Sequence, residues 1–194
     1  MFDLHGKVAV VTGASVGLGR GFAFAMARQG ADVAILARRK EKLDQVAEEV
    51  RSLGVKCLPV KCDVNDLEEV KAALDTVLAE FGKVDILINN AGCGYLGRMG
   101  ETETAVQTRM VDLNVRAMTA MTNLVIPYMP AGGRILNTSS IASFCPTPRM
   151  TVDGASKAYV SSFTVGLSEE LKFDEKTGKP LNNNLLDYKL STFM

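Results

Sequence analysis

Short apolar runs rich in β-branched residues alternate along the chain with longer amphipathic stretches, and this alternation limits the possible folds more than any other feature. Runs such as Val8–Val11 and Ile86–Ile88 are apolar throughout, which is typical of strands covered by helices on both faces. Strands are predicted near Lys7–Thr12, Asp32–Ala37, Lys56–Val60, Asp85–Asn89 and Gly133–Thr138. Helices are predicted near Leu18–Gln29, Arg39–Leu53, Leu67–Phe81, Val111–Met129 and Gly154–Lys172.

This order of elements predicts an α/β fold with a Rossmann-like, doubly wound parallel sheet. Right-handed crossovers give the strand order 3-2-1-4-5. No strand–helix unit is predicted after Lys172, so the sheet is expected to be truncated at its C-terminal end, with an unprotected edge on strand five. The domain is therefore predicted over residues 1–172, followed by an irregular or foreign-looking tail over residues 173–194.

Composition excludes several classes of partner. Lysine plus arginine equals aspartate plus glutamate, at 22 each, so neither nucleic acid nor an anionic membrane is an expected partner. No apolar run approaches the roughly 20 residues that span a bilayer, and no secretion signal is recognised, so a soluble cytoplasmic protein is expected. The cysteines form no metal-ligand cluster with the single histidine, His5, which predicts reduced thiols and no metal site.

The first strand ends in a glycine-rich loop that opens a helix. Its sequence is Thr12-Gly13-Ala14-Ser15-Val16-Gly17-Leu18-Gly19-Arg20. Gly13 permits a tight turn, Gly17 lets the backbone approach a diphosphate, and Gly19 allows the helix to pack against the strand. The spacing G-x-x-x-G-x-G differs from the G-x-G-x-x-G fingerprint, so by itself it leaves open an ordinary loop between strand and helix.

Further motifs follow in a fixed order. They are Asp63-Val64, Asn89-Asn90-Ala91-Gly92, Asn114, Ser139-Ser140 and Ala155-Ser156-Lys157-Ala158. Together with the glycine loop, these motifs resemble the short-chain dehydrogenase/reductase family over residues 5–172. The resemblance implies a nicotinamide dinucleotide as cofactor. The residues that it implies for cofactor binding are Gly13, Ser15, Gly17, Leu18, Gly19, Asp63, Val64, Asn90, Ala91, Gly92 and Lys157.

The end of strand two favours NADP(H) over NAD(H). Ala37 stands where an NAD-preferring protein carries a carboxylate, and Arg38, which follows it, suits a ribose 2′-phosphate. A basic trio at Arg38–Lys40 also opposes the helix dipole, which argues against a merely solvated helix start. Val16 argues the other way, because the resemblance implies a basic residue there in many NADP-dependent relatives.

The resemblance implies hydride transfer between the nicotinamide and a carbonyl or alcohol carbon. Ser140 would polarise the carbonyl, Lys157 would lower the pKa of a catalytic tyrosine, and Asn114 would anchor a water in the proton relay. The tyrosine position, four residues before Lys157, is occupied by Asp153. Aspartate is too short to reach the same substrate oxygen, and beside Lys157 its carboxylate is expected to be ionised at neutral pH.

Two other interpretations concern this helix. Tyr159 lies about 200° around a helix from Lys157, so it is not expected to replace the missing phenol. A structural role is the alternative for Asp153, as a helix N-cap or as an i,i+4 partner of Lys157.

The tail over residues 174–194 resembles a fragment of the molybdopterin-binding subunit of xanthine dehydrogenase-type hydroxylases, which favours a fusion or misassembled reading frame over a divergent terminus. The leading hypothesis is an NADP(H)-dependent oxidoreductase acting on CH–OH groups, with activity absent or reduced. A non-catalytic nucleotide-binding module and a chimeric fragment without selected function are the alternatives. The family resemblance also implies a homo-oligomer formed through the last two helices.

Overall fold

The computed structural model describes residues 3–171, which form a parallel five-stranded sheet flanked by helices. The strand order β3-β2-β1-β4-β5 confirms the predicted doubly wound topology. The strands are β1 Val8–Thr12, β2 Asp32–Ala37, β3 Cys57–Lys61, β4 Ile86–Asn89 and β5 Arg134–Asn137. The helices are α1 Gly17–Arg28, α2 Lys40–Arg51, α3 Leu67–Phe81, α4 Thr104–Val111, α5 Met118–Val125 and α6 Thr151–Glu170.

The helix predicted over Val111–Met129 differs from the observed one in its start and in its continuity. The observed helical region begins at Thr104, and a π-helical segment over Asp112–Ala117 joins α4 to α5. A 3-10 turn, Ile126–Tyr128, then ends the helical region. Periodicity does not reveal such a segment, because one π turn shifts the pattern of buried side chains by a single residue.

Helix α6 begins three residues earlier than predicted, at Thr151 instead of Gly154. Gly154 lies inside the helix, and a Cβ there would stand 3.1 Å from the backbone oxygen of Ala142. Glycine therefore allows α6 to approach the 3-10 turn over Ile141–Ser143 closely, although glycine is a weak helix former.

The sheet is buried on both faces, as its apolar strands predict. On one face, Val10 and Leu87 belong to a core cluster with buried residues of α3, α5 and α6. On the other, Val11 and Ile88 belong to a cluster with residues of α1 and α2. This packing leaves the loops at the carboxyl ends of the strands free to form a site.

Asp85, immediately before β4, is a buried carboxylate that links β1 to β4 at the amino ends of these strands. Its Oδ2 accepts hydrogen bonds from the Val8 backbone nitrogen at 2.9 Å and pairs with Lys83 Nζ at 2.9 Å. Its Oδ1 accepts from Lys7 Nζ at 3.2 Å. Burial raises the pKa of Asp85, but these donors outweigh burial and hold the pKa below 3.8.

We expect Asp85→Asn to lower the free energy of unfolding by about 2–3 kcal/mol, because an amide group would face donors that now share a carboxylate. A group with a depressed folded pKa stabilises above its unfolded pKa and loses that contribution as pH falls through the folded value. The difference between wild type and variant should therefore shrink below pH 3.8. Urea unfolding from neutral to acid pH measures this, with the exposed Asp75→Asn as control. An equal effect of both variants would contradict it.

Within residues 3–171, β5 pairs with β4 alone, and no helix there is long and apolar enough to cross a membrane. Within the same range no group of residues is suited to hold a metal ion. The tail over residues 173–194, with its predicted resemblance, lies outside the described residues.

Candidate active site

A cleft of about 190 Å³ lies at the carboxyl ends of the strands, between the glycine loop and the loops that follow β2, β3 and β4. It brings together seven of the residues that the sequence predicts for cofactor binding. These are Gly13, Ser15, Arg38, Asp63, Val64, Ala91 and Gly92. The other five predicted residues, Gly17, Leu18, Gly19, Asn90 and Lys157, do not line this cleft.

The glycine loop is shaped by close backbone contacts. Gly13 has a φ of +67°, and a Cβ there would stand 2.9 Å from the Ala91 Cα, so a side chain is both strained and obstructed. A Cβ at Gly19 would overlap the Gly13 backbone oxygen and stand 2.6 Å from Asn90 Nδ2. Gly17, with a φ of +59°, instead faces open space.

Helix α1 begins at Gly17 without a side-chain cap, since its N-cap residue is Val16. Its first backbone N–H groups are therefore not satisfied by a capping side chain. Such groups, together with the helix dipole, bind anions such as a diphosphate. Leu18, in the first turn of this helix, is 42% exposed.

Asn90 connects the two loops. Its Nδ2 donates to the backbone oxygen of Thr12 at 3.1 Å and to that of Gly13 at 3.4 Å. The Thr12 hydroxyl in turn accepts from the backbone nitrogens of Asn90 and Ala91, both at 3.0 Å. The Asn90 side chain is thus directed at the glycine loop, where it holds the loop in place.

Arg39 is a residue that the sequence analysis did not assign to the cofactor. It lines the cleft beside Arg38, and its Nη2 donates to Ser15 Oγ at 3.1 Å. The basic run Arg38–Lys40 is the sequence feature that could have indicated Arg39. The sequence alone does not show which of its three side chains face the cleft. Lys40, the third, pairs with Asp44 on its own helix.

Lys157 and Asn114 converge beside Gly92. A Cβ at Gly92 would stand 3.1 Å from Asn114 Oδ1 and 3.5 Å from Lys157 Nζ. Lys157 Nζ donates to the Thr138 backbone oxygen at 2.9 Å. Burial lowers the pKa of Lys157 below 10.5, against the opposing effects of Asp153 and Cys93.

Asn114 lies in the π-helical segment and holds the loop after β4. Its Nδ2 donates to the Cys93 backbone oxygen at 2.8 Å and to Ser156 Oγ at 2.9 Å. Its Oδ1 accepts from the Cys93 backbone nitrogen at 2.9 Å. Both amide hydrogens are engaged, which leaves the side chain one acceptor position for a water.

The two serines after β5 differ in their partners. Ser139 Oγ contacts the Lys157 backbone oxygen at 3.1 Å and Ser161 Oγ at 2.8 Å, so it fastens β5 to α6. Ser140 Oγ accepts from the Ala142 backbone nitrogen at 3.2 Å, which leaves its hydroxyl hydrogen available as a donor. This arrangement favours Ser140 over Ser139 as the group that faces a substrate.

Asp153, at the tyrosine position, is 7% exposed and lies in the first turn of α6. The predicted N-cap role is wrong, because Met150 is the N-cap residue and the helix starts before Asp153. The predicted ion pair with Lys157 is also absent among the ion pairs of residues 3–171, since Lys157 Nζ bonds to Thr138 instead. A Cβ at Gly94 would stand 3.2 Å from Asp153 Oδ1, so this glycine lies directly beside the carboxylate.

Burial affects the pKa of Asp153 more than the neighbouring lysine does. Burial raises it above 3.8, and the nearby Lys157 only partly opposes this. The sequence shows the lysine four residues away but not the extent of burial.

Tyr159 is directed away from Lys157, as the helical spacing predicts. Its hydroxyl is 2.9 Å from Thr119 Oγ1 on α5, and its ring stacks on Phe163 with centroids 5.8 Å apart. It therefore packs between helices and does not take the place of the missing phenol.

A parallel sheet of this order, with a glycine-rich first crossover and a free helix N-terminus, defines the class of Rossmann-type dinucleotide-binding proteins. The sequence profile of the family described as short chain dehydrogenase matches residues 7–175, so the chain belongs to that family. A sesame protein, 11-beta-hydroxysteroid dehydrogenase A, is 39% identical over 83% of this chain, but the match spans only 47% of that relative.

Solved structures give the same family. A short chain dehydrogenase/reductase from Burkholderia phymatum in complex with NAD has a TM-score of 0.86 and 31% identity, over 96% of this chain and 66% of that one. L-sorbose reductase from Gluconobacter frateurii, complexed with NADPH and L-sorbose, has a TM-score of 0.83 and 32% identity, over 88% and 66%.

Proposed function

We propose that this chain binds a nicotinamide dinucleotide in the cleft at the carboxyl ends of β1, β2 and β4, and that its family chemistry, carbonyl or alcohol oxidoreduction, is impaired by Asp153. The observation that carries the proposal is the glycine loop. Gly17 is open to solvent, and the helix behind it has no capping side chain. Both features suit a diphosphate at this position.

The dinucleotide, when bound, supplies or accepts the hydride. Ser140 would donate a hydrogen bond to the substrate oxygen, and Lys157 would lie beside the nicotinamide ribose. Asn114 would hold both the loop after β4 and one water. Asp153 is shorter than tyrosine and would end short of the substrate oxygen, so the proton that a phenol would deliver would have no donor at that point.

A preference for NADP(H) belongs to the same proposal. Arg38 and Arg39 both line the cleft, and Ala37 offers no carboxylate to a ribose 2′-hydroxyl. Arg39 is already held against Ser15 of the glycine loop. A guanidinium in such a position suits a ribose 2′-phosphate.

We expect Arg39→Ala and Arg38→Ala each to weaken NADPH binding about 10- to 100-fold, the range of a hydrogen bond to a charged group. NADH binding should change little, because NADH lacks the 2′-phosphate. Calorimetric titration with both dinucleotides measures this. Lys40→Ala is the matched control, because Lys40 is the neighbouring cation and pairs with Asp44 outside the cleft. Equal losses of affinity for NADPH and NADH would show that these arginines do not bind the 2′-phosphate.

A non-catalytic nucleotide-binding module is the second candidate. It is favoured because Asp153 stands at the tyrosine position, while Gly13, Ser15 and Arg38 still line the cleft proposed for the dinucleotide. Turnover by variants at position 153, described below, distinguishes the two candidates.

The proposal also covers location and assembly. Cys57 and Cys62 are buried free thiols, which suits a reducing compartment such as the cytoplasm. Pairing of two copies through α5 and α6 would cover Val165, which is exposed on α6. Light scattering of the purified chain tests the assembly.

A further inference from the structure

Two loops extend from groups to which the proposed function assigns a part in the reaction. The loop after β4, over residues 93–100, starts at Cys93, whose backbone nitrogen and oxygen both bond to the Asn114 side chain. The loop after β5, over residues 141–150, follows Ser140 directly. Whatever is bound at Ser140 therefore has these two loops as its nearest surface outside the dinucleotide cleft.

A backbone hydrogen bond joins the two loops. The Gly97 nitrogen donates to the Arg149 oxygen at 2.9 Å. The ring of Tyr95 lies against this link, since a Cβ at Gly97 would stand 2.7 Å from Tyr95 Cε1. The two loops thus form one continuous surface, which we call the rim of the site.

Arg149 holds its end of the link in a strained conformation. The Met150 nitrogen donates to the Thr147 oxygen at 3.1 Å, which closes a four-residue turn with Pro148 in its second position and Arg149 in its third. Arg149 has a φ of +72°, a value that favours glycine, and among residues 3–171 it is the single non-glycine residue with a positive φ. Strained residues of this kind are concentrated at sites that bind ligands.

The rim presents the three most exposed large apolar side chains of residues 3–171. Phe144 is 64% exposed, Met99 61% and Leu96 58%. Tyr95 and Ile141, on the same loops, are exposed as well. Large apolar side chains are stabilised by leaving water, and exposed apolar patches mark interaction sites.

The rim carries little charge. Its sequence contains no acidic residue, and Arg98 and Arg149 are its two basic residues. Arg98 Nη1 pairs with Glu101 Oε1 at 3.3 Å, which offsets its charge. The rim therefore offers a bound molecule apolar contact and few charges with which to pair.

We propose that the rim binds the hydrocarbon part of the substrate, so that the substrate class is a ketone or secondary alcohol with an extended, uncharged hydrocarbon group. This inference rests on the proposed function, which places the substrate oxygen at Ser140. A hydrocarbon group that extends from this point passes along the rim and covers Leu96 and Phe144. A short or strongly polar carbonyl compound would leave these side chains in water.

Binding of a homologous series tests this without relying on turnover. The probes are 2-pentanone, 2-heptanone and 2-nonanone, titrated by calorimetry into the NADPH-saturated chain. Affinity should rise at least about 10-fold from the shortest to the longest ketone, because each added methylene leaves water on the rim. The double variant Leu96→Ser/Phe144→Ser should reduce this rise to less than about 3-fold, since the apolar partners are gone.

Leu53→Ser is the matched control. Leu53 is an exposed leucine between α2 and β3, at the opposite end of the sheet, so its loss should leave the rise in affinity unchanged. All three substituted residues are exposed, and the variants are expected to fold as the wild type does. An equal reduction by Leu53→Ser and by the double variant would show non-specific binding and overturn the inference.

Parallel titration with NADPH separates this inference from the proposed function. If the wild type binds NADPH but its affinity for ketones does not rise with chain length, the rim assignment is wrong and the dinucleotide site stands. If the wild type fails to bind NADPH, the proposed function is wrong and the substrate class falls with it. A rise that only the double variant removes, at unchanged affinity for NADPH, supports the inference.

Discussion

Asp153→Tyr is expected to raise the turnover of ketone substrates with NADPH by about 10²–10⁴-fold over wild type, the usual contribution of a positioned general acid. The groups that would serve the new phenol are already in place. Lys157 lies one helical turn after position 153, and Ser140 has a hydroxyl hydrogen available. The missing element is the proton donor itself.

Position 153 is in the first turn of α6, and the residue directly beside its carboxylate is Gly94, which has no side chain. A tyrosine ring extending past this glycine would carry its hydroxyl beyond the point where the aspartate ends.

Asp153→Phe is the matched control, because it adds the ring and removes the carboxylate but supplies no hydroxyl. Steady-state rates on a panel of aliphatic and aromatic ketones, with NADPH saturating, measure the effect. We expect a gain for tyrosine and none for phenylalanine. Equal gains for both would mean that removal of the carboxylate alone explains the change, and the account of the missing acid would be wrong.

Gly19→Ala is expected to weaken NADPH binding at least about 100-fold, or roughly 3 kcal/mol. A Cβ at this position would overlap the Gly13 backbone oxygen and stand 2.6 Å from Asn90 Nδ2. Either the glycine loop or the loop after β4 must then shift. In the proposal the backbone N–H groups of the loop bind the diphosphate. Displacement of the loop would move these donors out of hydrogen-bonding distance.

Gly21→Ala provides a control in the same helix. Nothing lies within 4 Å of a Cβ at Gly21, so this change should leave dinucleotide binding intact and stabilise the helix by about 0.5–1 kcal/mol. Calorimetric titration and thermal unfolding of both variants measure the two effects. Unchanged NADPH binding by a folded Gly19→Ala variant would contradict the assignment of this loop to the diphosphate.

The fold could be predicted from the sequence because its strands are apolar on both faces and its helices are amphipathic. Right-handed crossovers then fix the strand order. The starts of α4 and α6, at Thr104 and Thr151, could not be predicted. The π-helical segment after α4 interrupts the helical period, and Gly154, a weak helix former in the first turn of α6, packs against the Ala142 backbone in a tertiary contact that the sequence does not show.

The site was predictable where one residue type is required by geometry, as at Gly13 and Gly19. It was less predictable where a long polar side chain could hydrogen-bond to any of several partners. Arg39 donates to Ser15 and Asn90 donates to the Thr12 backbone oxygen, but the neighbouring sequence indicates neither hydrogen bond. The direction of the Asp153 pKa shift could not be predicted for a related reason, because the burial that raises the pKa is a property of the folded chain, in which Gly94 lies beside the carboxylate.

Hydrogen–deuterium exchange of the wild-type chain with and without saturating NADPH tests the central claim most directly. The account predicts protection of the backbone amides over residues 13–19, together with the segments at residues 37–39 and 90–92, which surround the cleft. It also predicts no protection of the opposite end of the sheet, around Asp85. Absence of any protection, or protection confined to that opposite end, would contradict a dinucleotide site at the carboxyl ends of the strands.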